Sequence, residues 1–354
     1  MTAVHWATEY PNASGHVLGF ATHNDRMKAA LAATGVTFDE SAPVAIHVCP
    51  PHLFTPIKGK RSIVSCAWEA VEMPEAFKVL KYAAAVCPTA TFLMEPLQKL
   101  LPGKRIEYLP LGVDSDLFSF VDRLSPHRRP KTPSKAPKPG GRPLRYLWVG
   151  APNARKGGMH VAEAWRAFEG RPHVELYFKT TLPPGESSEG IRRLGNVIWD
   201  TRRLPVNELV KLYQDAHVFL FPTAGEGFGL TAAEAMSTGL PCIYTPCTAM
   251  WDLAPSDRRL GFPIRFAPIK RDWEEPTRPE VNVRVTLANP DTTDLANRMI
   301  QVANDYPAAV ERGRAASEWI RSQFTWKRTG SILRRIVDEV YEGVYASEAN
   351  VQAA

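Results

Sequence analysis

The stretch 221–245, FPTAGEGFGLTAAEAMSTGLPCIYT, constrains the fold more than any other part of this chain. A strand-like run leads into a loop with three glycines, and a helix is predicted over 230–237 because glycine and proline follow it. A second strand-like run, 242–245, comes directly afterwards. A helix between two buried strands is typical of a crossover connection in a parallel sheet.

The glycine loop before this helix has the form of a diphosphate site. A helix start offers free backbone N–H groups and the positive end of a dipole, and glycines let an anion approach the backbone closely. Glu226 lies in the loop and Glu234 lies one turn into the helix. Because carboxylates repel a diphosphate, we expect them to face hydroxyl groups of the same ligand. Such a ligand is a nucleotide sugar.

With these residues the chain resembles the retaining GT-B glycosyltransferases of the family 4 type, also called group 1. The signature of that family, E-G-F-G-L-x-x-x-E-A-M-x-x-G-x-P, is matched by residues 226–241. The resemblance implies that Glu226 approaches the donor sugar as a catalytic residue and that Glu234 holds the ribose. It also implies further donor-binding residues in the loop, namely Gly227, Phe228, Gly229 and Leu230.

A second element of the same family follows a predicted strand, 144–149. The strand leads to Gly150 and then to Lys156, which a glycine follows. The resemblance implies that Gly150 lines the donor site and that Lys156 binds the donor phosphate as a catalytic residue. Ala151 stands where the family usually has arginine, so Arg155 either replaces that contact or is a solvated neighbour.

Strands alternate with helices in both halves of the 354-residue chain, which predicts an α/β protein with two doubly wound, Rossmann-like domains facing a cleft. The resemblance names this fold GT-B. The predicted divisions are an acceptor-side domain (1–122), a basic, proline-rich linker (123–143), a nucleotide-sugar-binding domain (144–325) and a C-terminal helix and tail (326–354) that could cross back to the first domain. Within the first domain, a helix is predicted over 74–85.

By the same resemblance, the first domain binds the acceptor. His16 and Gly15 lie where the first strand–helix loop of the family faces the acceptor, although a plain loop histidine is an equal alternative. Trp68 and Glu69 resemble a Trp-Glu element found at the cleft of some members. They either line the acceptor side or are a core tryptophan beside a surface glutamate.

Composition excludes few partners. The formal charge of +6 is compatible with an anionic ligand, a membrane face or nucleic acid. The odd number of cysteines without a CxxC pair argues for reduced core thiols, and no signal peptide is recognisable, so a cytoplasmic protein is expected. No metal and no cofactor are expected, because the DxD pattern at Asp114 and Asp116 lies in a turn of the first domain.

The sequence therefore predicts transfer of a sugar from a nucleotide-diphosphate sugar to an acceptor hydroxyl, with retention of anomeric configuration and without a metal. The acceptor expected first is an envelope glycan or a lipid-linked precursor, with peripheral membrane contact open. One alternative is a hydroxylated base in DNA, held by the basic linker at 123–143. An alternative of another class is a catalytically silent subunit that binds a nucleotide sugar.

Overall fold

The computed structural model describes residues 2–8, 18–125, 143–182, 189–274 and 279–352, without the side chains of 18–20 and 344–352. The strands of this part are β1 Ala3–Trp6, β2 Thr37–Phe38, β3 Val44–Val48, β4 Arg61–Cys66, β5 Ala85–Pro88, β6 Leu144–Val149, β7 Val174–Lys179, β8 Ile191–Leu194, β9 Val197–Asp200, β10 Val218–Phe221, β11 Cys242–Tyr244, β12 Phe262–Pro263, β13 Phe266–Trp273 and β14 Val283–Pro290. The α-helices are α1 Leu18–Ala32, α2 Met94–Leu100, α3 Gly158–Trp165, α4 Val206–Asp215, α5 Leu230–Ser237, α6 Met250–Leu253, α7 Thr292–Asn304, α8 Tyr306–Gln323 and α9 Trp326–Gln352.

The chain divides into two compact units. Unit 1 comprises Met1–Gly112, Lys270–Thr286 and Phe324–Ala354, and unit 2 comprises Val113–Ile269 and Leu287–Gln323. The predicted domains differ from these units at three places. Residues 113–122 fold with unit 2, and the segments 270–286 and 324–325, which the sequence assigns to the second domain, belong to unit 1.

The predicted linker is wrong at its first residue. Arg123 is one of the largest fully buried side chains of the protein. Its guanidinium donates hydrogen bonds to the backbone oxygens of Ala216, Tyr213 and Thr238, so it is anchored within unit 2. Composition suggested a solvated arginine, but a guanidinium is buried readily where several carbonyls accept its protons. Residues 126–142 of the predicted linker lie outside the described part.

Unit 1 is built on a five-stranded sheet in the order β2-β1-β3-β4-β5. Its strand pairs are parallel, and β3 is buried along its whole length, as expected for a sheet covered on both faces. Helix α1 packs against α9, where a β-carbon on Gly330 would lie 2.4 Å from the Ala30 carbonyl oxygen. The segment predicted as a helix over 74–85 is a 3-10 helix, Glu75–Tyr82.

Unit 2 is built on a seven-stranded sheet in the order β12-β11-β10-β6-β7-β9-β8. Its pairs are parallel except at the edge, where β8 runs antiparallel to β9. Aromatic rings pack on one face of the central strands β6, β7 and β9. The Phe178 ring is stacked on the Trp148 ring, with 4.2 Å between centroids, and its centroid also lies 4.2 Å from that of Trp199. The prediction of an α/β protein with parallel sheets is confirmed. The carboxyl edge of such a sheet is where ligands bind.

Candidate functional site

The first loop of the candidate site joins β10 to α5 in unit 2. The helix begins at Leu230 because Gly229, with a φ of 88°, takes a left-handed conformation that side chains other than glycine's rarely adopt. Phe228, a residue of the same loop, is buried, with 5% of its surface exposed. The predicted bounds of this helix, 230–237, are those of the structure. The loop therefore lies at the carboxyl edge of the sheet, where parallel sheets bind ligands.

The second loop joins β6 to α3 and lies directly against the first. The Asn153 side chain accepts a hydrogen bond from the Lys156 N–H, which starts a tight 3-10 turn, Ala154–Lys156. Gly157 then has a φ of 76°, and a β-carbon there would lie only 1.9 Å from the Pro222 carbonyl oxygen. The Ala224 N–H also donates to the Arg155 carbonyl oxygen at 2.7 Å. The two loops are therefore in direct backbone contact.

Two cations of one loop meet the carboxylate of the other. The Lys156 Nζ lies 2.8 Å from Oε1 and 2.9 Å from Oε2 of Glu226, which is 5% exposed. The Arg155 guanidinium lies 3.3 Å from the same Oε1 and donates to the Gly225 carbonyl oxygen at 2.6 Å. Arg155 is therefore a half-buried member of this charge cluster, and its contact with the donor phosphate stays a prediction.

The charge state of Glu226 follows from this geometry. Burial on its own raises the pKa of the carboxyl, but the Lys156 and Arg155 cations and the Thr223 hydroxyl, 3.0 Å from Oε1, outweigh burial and leave the pKa below 4.5. Glu226 is therefore an anion at neutral pH. Thr223 stands three residues before Glu226 in the quoted motif, yet only the loop geometry reveals its contact.

Glu234 sits in a different environment. The carboxyl of this half-buried residue lies 3.0 Å from the hydroxyl of Tyr213, which donates a hydrogen bond to it. Burial raises the pKa of Glu234 to about 7, and the Tyr213 hydrogen bond lowers it only in part. Near neutral pH this carboxyl can thus both donate and accept hydrogen bonds.

Replacing Glu234 with glutamine should stabilise the protein at pH 8 and not at pH 5. An acid whose pKa rises from 4.5 to about 7 on folding contributes stability that is lost as the pH rises between those values. At pH 8 the loss amounts to at most about 3 kcal/mol, which glutamine removes. Thermal unfolding of wild type, Glu234→Gln and the exposed control Glu318→Gln at both pH values measures it. An equal effect of Glu234→Gln at pH 5 and pH 8 would contradict the assignment.

A second polar group, of which the sequence gives little indication, lies at the same carboxyl edge of the unit 2 sheet. Lys179, at the end of β7, is 6% exposed, and its backbone oxygen accepts a hydrogen bond from the Gly150 N–H. Its Nζ donates to the Thr180 carbonyl oxygen. Burial lowers the pKa of Lys179. The neighbouring Asp200 is fully buried and is held by the Arg202 guanidinium and the Tyr177 hydroxyl.

The acceptor-side candidates belong to unit 1. Trp68 is a core side chain, 4% exposed, whose Nε1 donates to the Glu72 carbonyl oxygen and whose ring centroid lies 4.5 Å from that of Trp273. Glu69 beside it is half-buried. Gly15 and His16 lie outside the described residues. An acceptor contact at these positions stays a prediction.

Within the described ranges, no three His, Cys, Asp or Glu side chains come together as metal ligands could. No helix of those ranges is both long and apolar enough to cross a bilayer. The five cysteines are buried and unpaired, and burial raises the pKa of Cys49, Cys87 and Cys247 to about 12.

Residues 143–263 match a family model described as "Glycosyl transferases group 1". Among curated proteins, the chain is 27% identical over 192 residues to an MMP alpha-(1->4)-mannosyltransferase of Mycolicibacterium hassiacum. This match covers 53% of the chain and 41% of that relative, so the chain spans about two fifths of the relative's length.

Two solved structures share the fold over nearly the whole chain. Sucrose-phosphate synthase from Thermosynechococcus elongatus superposes with a TM-score of 0.61 at 17% identity, covering 96% of this chain and 81% of that one. Anabaena HepE, solved with UDP and glucose, superposes with a TM-score of 0.60 at 11% identity, covering 93% and 84%. Both have two Rossmann-like domains, so the predicted GT-B fold is confirmed.

Proposed function

We propose that this chain, whose residues 143–263 match the family model of the group 1 glycosyltransferases, transfers a sugar from a nucleoside diphosphate donor to an acceptor hydroxyl with retention of anomeric configuration. The observation that carries the proposal is the cluster in which Lys156 and Arg155 meet the buried Glu226 beside the start of α5. This cluster lies at the carboxyl edge of the unit 2 sheet, where parallel sheets bind ligands. HepE, which shares the fold, was solved with UDP and glucose.

The cations stabilise the leaving group. When the bond from the anomeric carbon to the diphosphate breaks, negative charge accumulates on the departing phosphate oxygen. Lys156, Arg155 and the backbone N–H groups at the start of α5 are already in place in a largely buried site, where such groups stabilise charge most strongly. Because these groups supply positive charge at the phosphates, the proposed reaction needs no metal ion and no cofactor besides its donor.

In the proposed step, the acceptor hydroxyl attacks the anomeric carbon from the face that the diphosphate leaves. The new carbon–oxygen bond takes its electron pair from the acceptor oxygen, and the old bond leaves its pair on the nucleoside diphosphate. The acceptor proton passes to the departing phosphate oxygen. Glu226, an anion at neutral pH, orients the donor sugar and stabilises the positive charge that develops on the sugar ring.

The second carboxyl has a separate role in the proposal. Glu234 holds the ribose hydroxyls, for which a group that both donates and accepts near neutral pH is suited. The loop residues Gly150, Gly227 and Gly229 let the diphosphate approach the backbone. Reduced, buried thiols are typical of a reducing compartment, which supports a cytoplasmic enzyme.

For the acceptor, we propose an envelope glycan or a lipid-linked precursor. The relative from Mycolicibacterium hassiacum is itself named a mannosyltransferase. The alternative of DNA depends on the basic stretch 123–143, whose first residue is anchored in unit 2 and whose residues 126–142 lie outside the described part. The alternative of a silent subunit is disfavoured by the complete Lys156, Arg155 and Glu226 cluster.

A turnover assay tests the proposal. The purified protein is incubated with UDP-, GDP- and ADP-sugars and with acceptors that include mono- and disaccharides, envelope glycans and lipid-linked precursors, and released nucleoside diphosphate is measured. We expect one donor to be consumed in an acceptor-dependent manner and proton NMR of the product to show the donor's anomeric configuration. An inverted product would overturn retention. Absence of turnover with every donor, together with tight nucleotide binding, would favour the silent subunit.

A further inference from the structure

The backbone at Thr248 is strained. Its φ is 49°, in the left-handed region, where a β-branched residue is a genuine outlier. Arg259 is the other residue besides glycine with a positive φ in the described ranges, and it is exposed. Thr248, by contrast, is buried at the carboxyl edge of the unit 2 sheet, between β11 and α6. Such strain persists where surrounding contacts enforce it.

The strained residue holds the backbone of Glu226. The Glu226 N–H donates to the Thr248 Oγ1 at 2.8 Å, and the Ala249 N–H donates to the Glu226 carbonyl oxygen at 3.3 Å. Glu226 lies between Gly225 and Gly227, which have no side chains to restrain the loop. Both main-chain polar groups of Glu226 therefore bond to one dipeptide on a neighbouring loop.

A neighbouring thiol extends this connection to the Glu226 side chain. The Sγ of Cys247 lies 3.7 Å from the Thr223 carbonyl oxygen and 4.0 Å from the Thr248 Oγ1. The Thr223 hydroxyl in turn lies 3.0 Å from the Glu226 Oε1. Burial raises the pKa of Cys247 to about 12, so the thiol keeps its proton and can donate it. The loop thus restrains the backbone of Glu226 directly and its carboxylate through Thr223.

We propose that Thr248 is a positioning residue that fixes Glu226 for sugar transfer, and that its left-handed backbone is maintained because it aims Oγ1 at the Glu226 N–H. The role rests on the proposed function, since it acts through Glu226 and touches no reacting atom. Misplacing a reacting group by about 1 Å can lower the rate about a hundredfold. A strained backbone at Thr248 is therefore useful only if the position of Glu226 affects the rate.

Three substitutions separate the strain from the hydroxyl. Thr248→Ala removes the hydroxyl and keeps the strain, Thr248→Gly removes both, and Thr248→Ser keeps the hydroxyl. Stability should depend on how well residue 248 tolerates a left-handed backbone, so Thr248→Gly melts at a higher temperature than Thr248→Ala. Turnover should depend on whether the hydroxyl is present. We expect kcat to fall about 10- to 100-fold in both Thr248→Gly and Thr248→Ala, to recover in Thr248→Ser, and the donor KM to change little.

Two further arms complete the experiment. Arg259→Gly is the matched control, because it relieves a left-handed backbone on an exposed residue and should leave kcat unchanged. Hydrogen exchange at the Glu226 amide needs no substrate, and it should accelerate at least about tenfold in Thr248→Gly and Thr248→Ala but not in Thr248→Ser. Full turnover in Thr248→Gly, or unchanged exchange at Glu226, would overturn the positioning role. Faster exchange in a protein that transfers no sugar would instead overturn the proposed function alone.

Discussion

Replacing Glu226 with glutamine is expected to lower turnover by about 10²- to 10³-fold while nucleoside diphosphate binding stays intact. Glutamine has nearly the same shape and still accepts hydrogen bonds, but it carries no charge. The Lys156 and Arg155 cations, 2.8 and 3.3 Å from the present Oε1, keep their charge in this variant and can still bind the diphosphate. What is lost is the anion that stabilises the sugar ring in the transition state. The two effects are measured as kcat and as calorimetric nucleotide affinity.

The stability of the same variant depends on pH. Because the folded state holds the pKa of Glu226 below 4.5, the ionised carboxylate contributes stability above that pH and loses it as the pH falls through the folded pKa. Glu226→Gln should therefore be less stable than wild type at pH 7 and approach it in acid. Glu318→Gln, on the exposed face of α8, is the control and should match wild type throughout. Wild-type turnover in Glu226→Gln would mean that the carboxylate has no part in the chemistry.

Among substitutions in unit 2 that add a single methyl group, Gly157→Ala is expected to be the most destabilising. The new β-carbon would lie 1.9 Å from the Pro222 carbonyl oxygen and 3.1 Å from its ring, and the φ of 76° is itself unfavourable for alanine. Backbone atoms cannot yield as a flexible side chain can, so the two loops must separate. We expect a loss of at least about 3 kcal/mol in unfolding free energy, because overpacking and backbone strain add.

Activity should fall with the same substitution, since separating the loops moves Lys156 away from Glu226, and a drop of at least about 10²-fold is expected. Gly170 provides the matched control, with a φ of 71° and no atom within 4 Å of a new β-carbon. Gly170→Ala should cost only the backbone strain, about 1 to 2 kcal/mol, and leave kcat unchanged. Chemical denaturation and turnover of both variants measure the difference. If both glycines respond alike, the contact between the loops carries no function.

The second half of the fold is predictable because its local signals agree. Helix α5 has the predicted bounds, since glycines flank it and proline follows, and β6 has the predicted bounds, 144–149, because a buried strand reads as one mostly apolar run. The strands β13 and β14, which form a two-stranded sheet of their own, are missed. Residues of β13 are mostly exposed, so the sequence there carries no apolar alternation that would distinguish a strand from a loop.

The candidate site is predictable in its members more than in its arrangement. The motif identifies Lys156 and Glu226, but the family resemblance assigns one to the phosphate and the other to the sugar, and nothing in the spacing shows that they form an ion pair. The contact of Thr248 with Glu226 joins residues 22 positions apart through a left-handed backbone that its residue type argues against. Local propensity points the wrong way where tertiary contacts enforce strain.

Isothermal titration calorimetry of UDP, GDP and ADP against wild type, Lys156→Ala and Lys211→Ala tests the central claim most directly. Lys211, exposed on α4, controls for the loss of one positive charge. The proposed donor site predicts that one nucleoside diphosphate binds wild type and Lys211→Ala equally, and that Lys156→Ala weakens it at least about tenfold, or about 1.4 kcal/mol. Equal binding by Lys156→Ala, or no binding of any of the three to wild type, would contradict it.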